Sequence, residues 1–172
     1  MKSPLPLVVL TLAGAPLAAP AADVTLEIEI PRLEVAEYHR PYVAAWIEND
    51  QKKFVSNLFV WYQVEATRPG GDHGDHGEKW LKDLRKWWRV SGRDLKMPVD
   101  GLASPTKPAG KHQVSLTKAF QNLPGGTYTL LVEASREVGG RELLSVPFTW
   151  DGSALKAEKV QGSGELGSII LK

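Results

Sequence analysis

Two histidines lie in the most polar stretch of the chain. His73 and His76 fall within residues 72–78, a heptapeptide that also holds three carboxylates and two glycines. Imidazole and carboxylate groups are ligands for zinc, copper and nickel, so this spacing is compatible with a divalent metal site. A glycine-rich loop does not hold its ligands in place, however, and a solvated surface loop is the alternative interpretation.

A second set of residues could bind a ligand or partner by stacking and charge. Trp87 and Trp88 are adjacent, so a helix cannot turn both towards the core, and we expect one ring at the edge, where it can stack on a planar ligand. Arg85 and Arg89 are one helical turn apart and could bind an anion, with a solvated basic face as the alternative. His39 is either an ordinary hydrogen-bonded residue at a strand entrance or a polar group at the mouth of a pocket. The predicted ligand or partner surface therefore includes His39, Arg85, Trp88 and Arg89.

The sequence contains no motif of a catalytic centre. It lacks the nucleophile pattern G-x-S-x-G, the zinc pattern H-E-x-x-H and a phosphate-binding glycine loop. It also has no cysteine, which excludes disulfides, thioether-linked haem and iron–sulfur ligation. The formal net charge of +1 gives no bulk attraction for nucleic acid or an anionic membrane. We therefore predict a non-catalytic protein that does not bind nucleic acid.

The elements that position these residues follow an N-terminal export signal. Residues 1–22 combine Lys2, an apolar run over residues 5–12 and a stretch of small residues rich in alanine. This is the pattern of a cleaved secretory signal peptide, and the apolar run is too short to remain as a membrane anchor. We expect a periplasmic protein in which residues 23–172 form a single domain with no transmembrane anchor after cleavage.

Period-two alternation of apolar and polar residues predicts a mainly β domain. The predicted strands are residues 24–30, 41–48, 53–62, 112–117, 127–137, 141–150 and 166–171. Turn signals separate them, among them Asn49-Asp50 and the glycine pair Gly139-Gly140, which predict hairpins. Several short strands of this kind indicate an immunoglobulin-like antiparallel β-sandwich.

The period changes to that of a helix over residues 78–89. The apolar positions are Trp80, Leu81, Leu84, Trp87 and Trp88. They share one helical face, so we expect one amphipathic helix packed across an open side of the sandwich. Polar loops over residues 67–77 and 91–110 flank this helix. Because a rigid sandwich varies mainly in its loops, we expect these two loops and the helix to form the binding surface.

Four segments of the chain together resemble a known bacterial family. They are residues 36–48, 80–89, 126–130 and 164–167, of which the second is the tryptophan-rich helix. Over nearly all of the part that follows the signal, the chain resembles the predicted periplasmic family called domain of unknown function 2271. Members tend to be encoded near PepSY-domain membrane proteins and periplasmic flavin transferases. The resemblance therefore implies an extracytoplasmic redox setting with such proteins as partners, and it supplies no activity.

The resemblance also draws attention to one threonine. Flavin transferases of this kind join the phosphate of flavin mononucleotide (FMN) to a threonine hydroxyl within a pattern such as Asp-x-x-Ser/Thr-Gly-Ala-Thr. Asp100 and Thr106 match the spacing, whereas the three residues before Thr106 depart from the pattern. Pro105 matters most among them, because proline fixes one backbone angle and removes an N–H group. FMN attachment at Thr106 and an ordinary turn are the two alternatives.

Three functional hypotheses follow. The first is a non-catalytic periplasmic accessory or binding protein of a flavin- or metal-linked redox system. The second is an electron carrier with FMN covalently attached to Thr106. The third is a periplasmic metal-binding protein that uses His73 and His76. The candidate cofactors are accordingly FMN and a divalent metal ion.

Overall fold

The computed structural model describes residues 23–64 and 77–172, and the fold is that of a mainly β protein. Within these residues the strands are β1 (Thr25–Ile30), β2 (Tyr42–Asn49), β3 (Phe54–Tyr62), β4 (Ala103–Pro105), β5 (Gly110–Ser115), β6 (Gly126–Ser135), β7 (Arg141–Trp150), β8 (Leu155–Ala157), β9 (Val160–Gln161) and β10 (Ser168–Leu171). The predicted signal peptide lies outside the described residues, so it stays a prediction, as does the single-domain boundary.

The strands form two sheets in the described part of the chain. One has the order β5-β1-β10-β9, and the other has the order β4-β3-β2-β6-β7-β8. All neighbouring strands are antiparallel except β3 and β4, which are parallel. The predicted β-sandwich is therefore confirmed, and so are its hairpins β2–β3 and β6–β7.

The core lies between the two sheets. On β1 the burial alternates as the sequence predicts, with Leu26, Ile28 and Ile30 buried between half-buried polar neighbours. The ring of Phe120 packs against Phe148 and Trp150 at centroid distances of 5.4 and 5.3 Å. Phe120 belongs to a short helix, α2 (Thr117–Gln121), which has no counterpart in the sequence prediction.

A third layer covers the outer face of the six-stranded sheet. It corresponds to the predicted helix at residues 78–89, but the segment is a 3₁₀ helix, Gly77–Asp83, followed by a six-residue helix α1, Arg85–Val90. Leu84 separates the two with φ −75° and ψ 70°, a conformation outside the helical region. The expectation of one continuous helix is therefore corrected, because the helix is interrupted at Leu84.

The face of this layer that contacts the sheet is apolar. Leu81, Leu84 and Trp87 are buried against β2, β3 and β6. As expected from their adjacency, Trp87 is buried and Trp88 only partly so, with ring centroids 6.4 Å apart. Trp80, which the pattern assigns to the same face, is instead 45% exposed, because the 3₁₀ helix turns it away from the sheet.

The long segment between α1 and β5 is ordered by pairing with the sheet. It contains a 3₁₀ turn, Gly92–Asp94, and then β4, which adds a parallel edge strand to β3. Backbone N–H groups of Val60 and Thr106 donate to the carbonyl groups of Leu102 and Tyr62 at 2.8 and 3.2 Å. This pairing holds Thr106 beside the last residue of β3.

Candidate functional site

A cavity of about 550 Å³ opens at one end of the six-stranded sheet. It is lined by Tyr38, His39, Arg40, Tyr42, Gln63, Trp80, Asp83, Thr106, Ser135, Arg136, Glu137 and Val138. Its volume lies within the range of about 300–1,000 Å³ that is typical of small-molecule sites.

Strand register explains why these residues meet. Tyr42, the first residue of β2, pairs with Ser135, the last residue of β6. Val43 pairs with Trp61 near the end of β3, and β4 runs parallel to β3 and ends with it. The start of β2 and the ends of β3, β4 and β6 therefore lie at one edge of the sheet, and described residues that adjoin these strand ends line the cavity.

Aromatic rings supply much of the apolar surface of the cavity. Trp80 is 45% exposed and Tyr38 is 37% exposed, so both rings can contact a ligand. The ammonium groups of Lys79 and Lys82 lie 5.3 and 5.9 Å from the centre of the Trp80 ring, within the range of cation–π contacts. Exposed aromatic rings at the rim favour a planar ligand that can stack on them.

Tyr42 forms the inner wall and is held neutral. Burial raises the pKa of its phenol to about 12, and a hydrogen bond with the backbone of Gln63 opposes this rise only partly. Gly77 leaves space for the phenol, because a Cβ atom at that position would overlap the Tyr42 hydroxyl oxygen. The Tyr42 and Tyr62 rings meet edge to face with centroids 6.3 Å apart.

His39 lies between two carboxylates at the cavity rim. Its Nε2 atom is 3.0 Å from Oε1 of Glu37, and its Nδ1 atom is 3.6 Å from Oε2 of Glu137. Glu37 is two residues from His39 in the chain, whereas Glu137 is distant and comes close through the β2–β6 pairing, so the sequence does not indicate the second partner. The two carboxylates hold the imidazole in one orientation at the rim.

Arg136 lies at the base of the cavity and is almost fully buried. Its Nε and Nη2 atoms donate to the carboxylate of Glu165 at 2.8 and 3.1 Å, and Nη1 has no hydrogen-bond partner in the described part of the chain. The Glu165 carboxylate also accepts the backbone N–H of Gly140 at 2.8 Å. A Cβ atom on Gly139 would overlap the guanidinium group, so this glycine of the β6–β7 turn makes room for Arg136.

A smaller cavity of about 350 Å³ adjoins the first. It is lined by Asp83, Arg85, Ser135, Arg136, Gly139, Gly140 and Arg141. Asp83, Ser135 and Arg136 line both cavities, so the two form one continuous depression.

The buried carboxylate of Glu133 holds the start of α1 against the sheet beside this depression. The backbone N–H groups of Lys86 and Trp87, at the start of α1, donate to Glu133 at 3.1 and 2.8 Å. Arg141 donates to the same carboxylate through Nε at 2.6 Å. A carboxylate at the first N–H groups of a helix stabilises them, so the chain leaves the 3₁₀ helix at Leu84 and begins α1 over Glu133.

Comparison with protein families adds an identity to this geometry. The family model described as "Predicted periplasmic protein (DUF2271)" matches residues 23–168, which is most of the chain. The chain belongs to this family. The DUF2271 protein is accordingly a periplasmic protein, as the sequence predicts. No curated protein and no solved structure matches it.

Part of the DUF2271 resemblance has a structural explanation. Residues 164–167 are held by carboxylates, because Glu142 accepts the backbone N–H groups of Gly164 and Leu166 at 3.0 and 2.8 Å. Glu165, within the same segment, makes the buried pair with Arg136. The segment therefore supports the floor of the cavity from below.

The structure brings some of the predicted site residues of the DUF2271 protein together and separates others. Thr106 and His39 both line the larger cavity, and Arg85 lines the smaller one. Trp88 and Arg89 line neither cavity. Asp100 is exposed at the opposite end of β4 from Thr106 and lines neither cavity.

The predicted metal site lies outside the described residues. His73 and His76 belong to residues 65–76, so metal binding by them stays a prediction. Within residues 23–64 and 77–172, no group of three or more His, Cys, Asp or Glu side chains could hold a metal ion. None of the helices formed there is long and apolar enough to cross a membrane.

Sequence reasoning missed Arg136, Tyr38 and Trp80 as cavity residues. Trp80 carried a signal, since it begins the apolar pattern at a helix end, where a ring is often left at the edge. Arg136 carried no signal of its own, because its partner Glu165 is 29 residues away in the sequence.

Proposed function

We propose that the DUF2271 protein is a non-catalytic accessory protein of an extracytoplasmic redox system, and that its larger cavity binds a planar aromatic ligand of the flavin type. The observation that carries the proposal is the cavity of about 550 Å³ with two exposed aromatic rings, Trp80 and Tyr38, at its rim. The redox setting and its partners, a PepSY-domain membrane protein and a periplasmic flavin transferase, come from the family resemblance.

The chemistry of the lining supports a flavin-like ring. Stacking between aromatic side chains and a heteroaromatic ring is worth about 1–3 kcal/mol per ring. The polar groups of His39, Thr106 and Tyr42 stand around the same space and can donate to or accept from the ring edge. A cavity with apolar walls and a few converging polar groups binds and orients a ligand.

The test is a titration of the purified protein with riboflavin and FMN, followed by flavin fluorescence. We expect saturable binding, and the Trp80→Ala and Tyr38→Ala variants should each bind about tenfold more weakly because they lose a stacking face. Phe54→Ala is the matched control, since Phe54 is 39% exposed at the opposite end of β3 and does not line the cavity. Failure of both flavins to bind, or equal binding by all variants, would contradict the proposal.

A second candidate function is covalent attachment of FMN to Thr106. The specific observation in its favour is that Thr106 lines the same cavity. In such a transfer, the Thr106 oxygen forms a bond to the FMN phosphorus of a flavin adenine dinucleotide donor. The pyrophosphate bond breaks, adenosine monophosphate leaves, and the hydroxyl proton passes to solvent. No electron is transferred in this step.

Intact mass distinguishes the covalent from the non-covalent function. The protein is produced together with a periplasmic flavin transferase, and the wild type is compared with Thr106→Val and with Ser104→Ala, a hydroxyl in β4 that does not line the cavity. Covalent attachment predicts the added mass of one FMN group on the wild type and Ser104→Ala, and an unmodified Thr106→Val. An unmodified wild type would end this candidate and leave the non-covalent one in place.

A further inference from the structure

We propose that the smaller cavity is an anion subsite, which binds the phosphate of a ligand whose ring occupies the larger cavity. This inference rests on the proposed function for the position of the ring, and it names the ligand more closely, as a phosphorylated aromatic compound. The two cavities share Asp83, Ser135 and Arg136, so one ligand can extend across both.

The donors of the smaller cavity come from three separate elements. Arg85 belongs to α1, Arg136 to the β6–β7 turn and Arg141 to the start of β7. Guanidinium groups bind phosphate through paired N–H donors, and here they reach one space from three directions.

The carboxylates paired with these arginines leave donors available. Glu133 contacts Arg141 through Nε, and Glu165 contacts Arg136 through Nε and Nη2. Nη1 of Arg136 is buried and has no partner within the described residues, so it can donate only to a group that reaches the base of the cavity. Both glutamates are buried, whereas Arg85 is exposed at the rim, where an entering anion meets it first.

The helical layer around the subsite carries excess positive charge. Residues 78–96 hold seven Lys or Arg and three Asp or Glu, in a chain whose formal net charge is only +1. Such a local field attracts an anionic ligand towards this end of the molecule. The net charge of the whole chain does not reveal this local excess, because acidic residues elsewhere in the chain balance it.

The experiment compares FMN with riboflavin, which has the same ring and no phosphate. With wild-type protein made without a flavin transferase, we expect FMN to bind about tenfold more tightly than riboflavin, as charge-assisted hydrogen bonds provide. In Arg85→Gln this preference should fall to about twofold or less, with riboflavin affinity unchanged. Arg89→Gln is the matched control, one turn further along α1 and outside both cavities, and should keep the preference.

Inorganic phosphate tests the anion subsite without a flavin ring in the larger cavity. We expect it to raise the thermal unfolding temperature of the wild type and of Arg89→Gln, but not of Arg85→Gln. Equal affinity for FMN and riboflavin would overturn the subsite and leave the proposed function intact. If neither flavin binds, the proposed function fails, and the phosphate measurement alone then supports or overturns the subsite.

Discussion

The two faces of the six-stranded sheet are covered in different ways. On β6, Leu130 and Val132 point inward to the four-stranded sheet, whereas Leu131 and Glu133 point outward beneath the helical layer. The inner face meets a second sheet through apolar side chains. The outer face carries two buried carboxylates, Glu48 and Glu133, among its apolar residues.

The buried carboxylates on the outer face provide hydrogen-bond acceptors that the short helix α1 does not have in its own sequence. A helix of six residues such as α1 is unstable alone, and Leu84 at its N-cap has no side-chain acceptor. Glu133 receives its first N–H groups, and Glu48 accepts from Lys86 Nζ at 3.0 Å and from Trp46 Nε1 at 3.0 Å. Apolar packing thus makes the sandwich, while polar contacts fix the layer that bears the cavity residues.

The largest effect should come from the inner face. Leu130→Ala removes a fully buried side chain between the sheets and should lower the free energy of unfolding by about 3 kcal/mol. Urea unfolding measures this change, with the exposed Val35→Ala as a control expected to shift stability by less than about 0.5 kcal/mol.

On the outer face, Glu133→Gln should cost about 2 kcal/mol, since an amide donor then faces buried N–H groups. It should also alter the near-ultraviolet circular dichroism, because the backbone N–H of Trp87 donates to Glu133 and this bond positions the residue. Glu158→Gln, at an exposed position, provides the control. A loss of stability with an unaltered tryptophan signal would mean that Glu133 does not position α1.

A smaller effect is expected for Lys86→Met. Lys86 pairs with the buried Glu48, but part of its side chain is exposed and Trp46 remains as a partner of the carboxylate. We expect a loss of about 1 kcal/mol by urea unfolding, and a smaller loss when Glu48→Gln is already present. Lys82→Met removes an exposed lysine of the same layer and serves as the control. Equal losses for Lys82→Met and Lys86→Met would show that the outer contact with Glu48 contributes nothing specific.

The difference between the two faces also explains what the sequence could predict. Apolar residues follow a period of two in the strands and the helical period in the layer outside them, so the strands and the burial of only one of the two adjacent tryptophans were predictable. The break at Leu84 was not, because it depends on Glu133, which lies 47 residues from Lys86 in the sequence. Sequence patterns report local periodicity, and polar anchors between distant residues leave no periodic signal.

The candidate site was predictable to a similar extent. Thr106 and His39 were selected from the sequence, and both line the larger cavity. These two residues come together through the parallel pairing of β3 with β4 and through the register of β2 with β6. The sequence pattern indicates neither pairing. Arg136, like the helix break at Leu84, was not predicted because it depends on residues distant in the sequence. Its burial requires the carboxylate of Glu165 and the space left by Gly139 in the β6–β7 hairpin.

The smallest expected effect on stability comes from Tyr42, which lies where the outer face of the sheet meets the larger cavity. Burial raises the pKa of Tyr42 from 10.0 to about 12, so the folded protein keeps this phenol neutral at a pH where the unfolded chain ionises it. The stabilising contribution of neutral Tyr42 is therefore present below pH 10 and is lost as the pH rises from about 10 towards about 12.

The ultraviolet absorbance of phenolate measures this directly, with tryptophan emission as a check that the protein stays folded. Burial also raises the pKa of Tyr62, so late phenol ionisation should be smaller by one tyrosine in Tyr42→Phe and not absent, and that variant should lose less stability between pH 10 and 12. Tyr128→Phe, on the inner face at the opposite end of β6, should keep the late step. If Tyr42 instead ionises near its ordinary value of 10.0, the inner wall of the cavity is wet, and the outer face is less closed there than its buried carboxylates indicate.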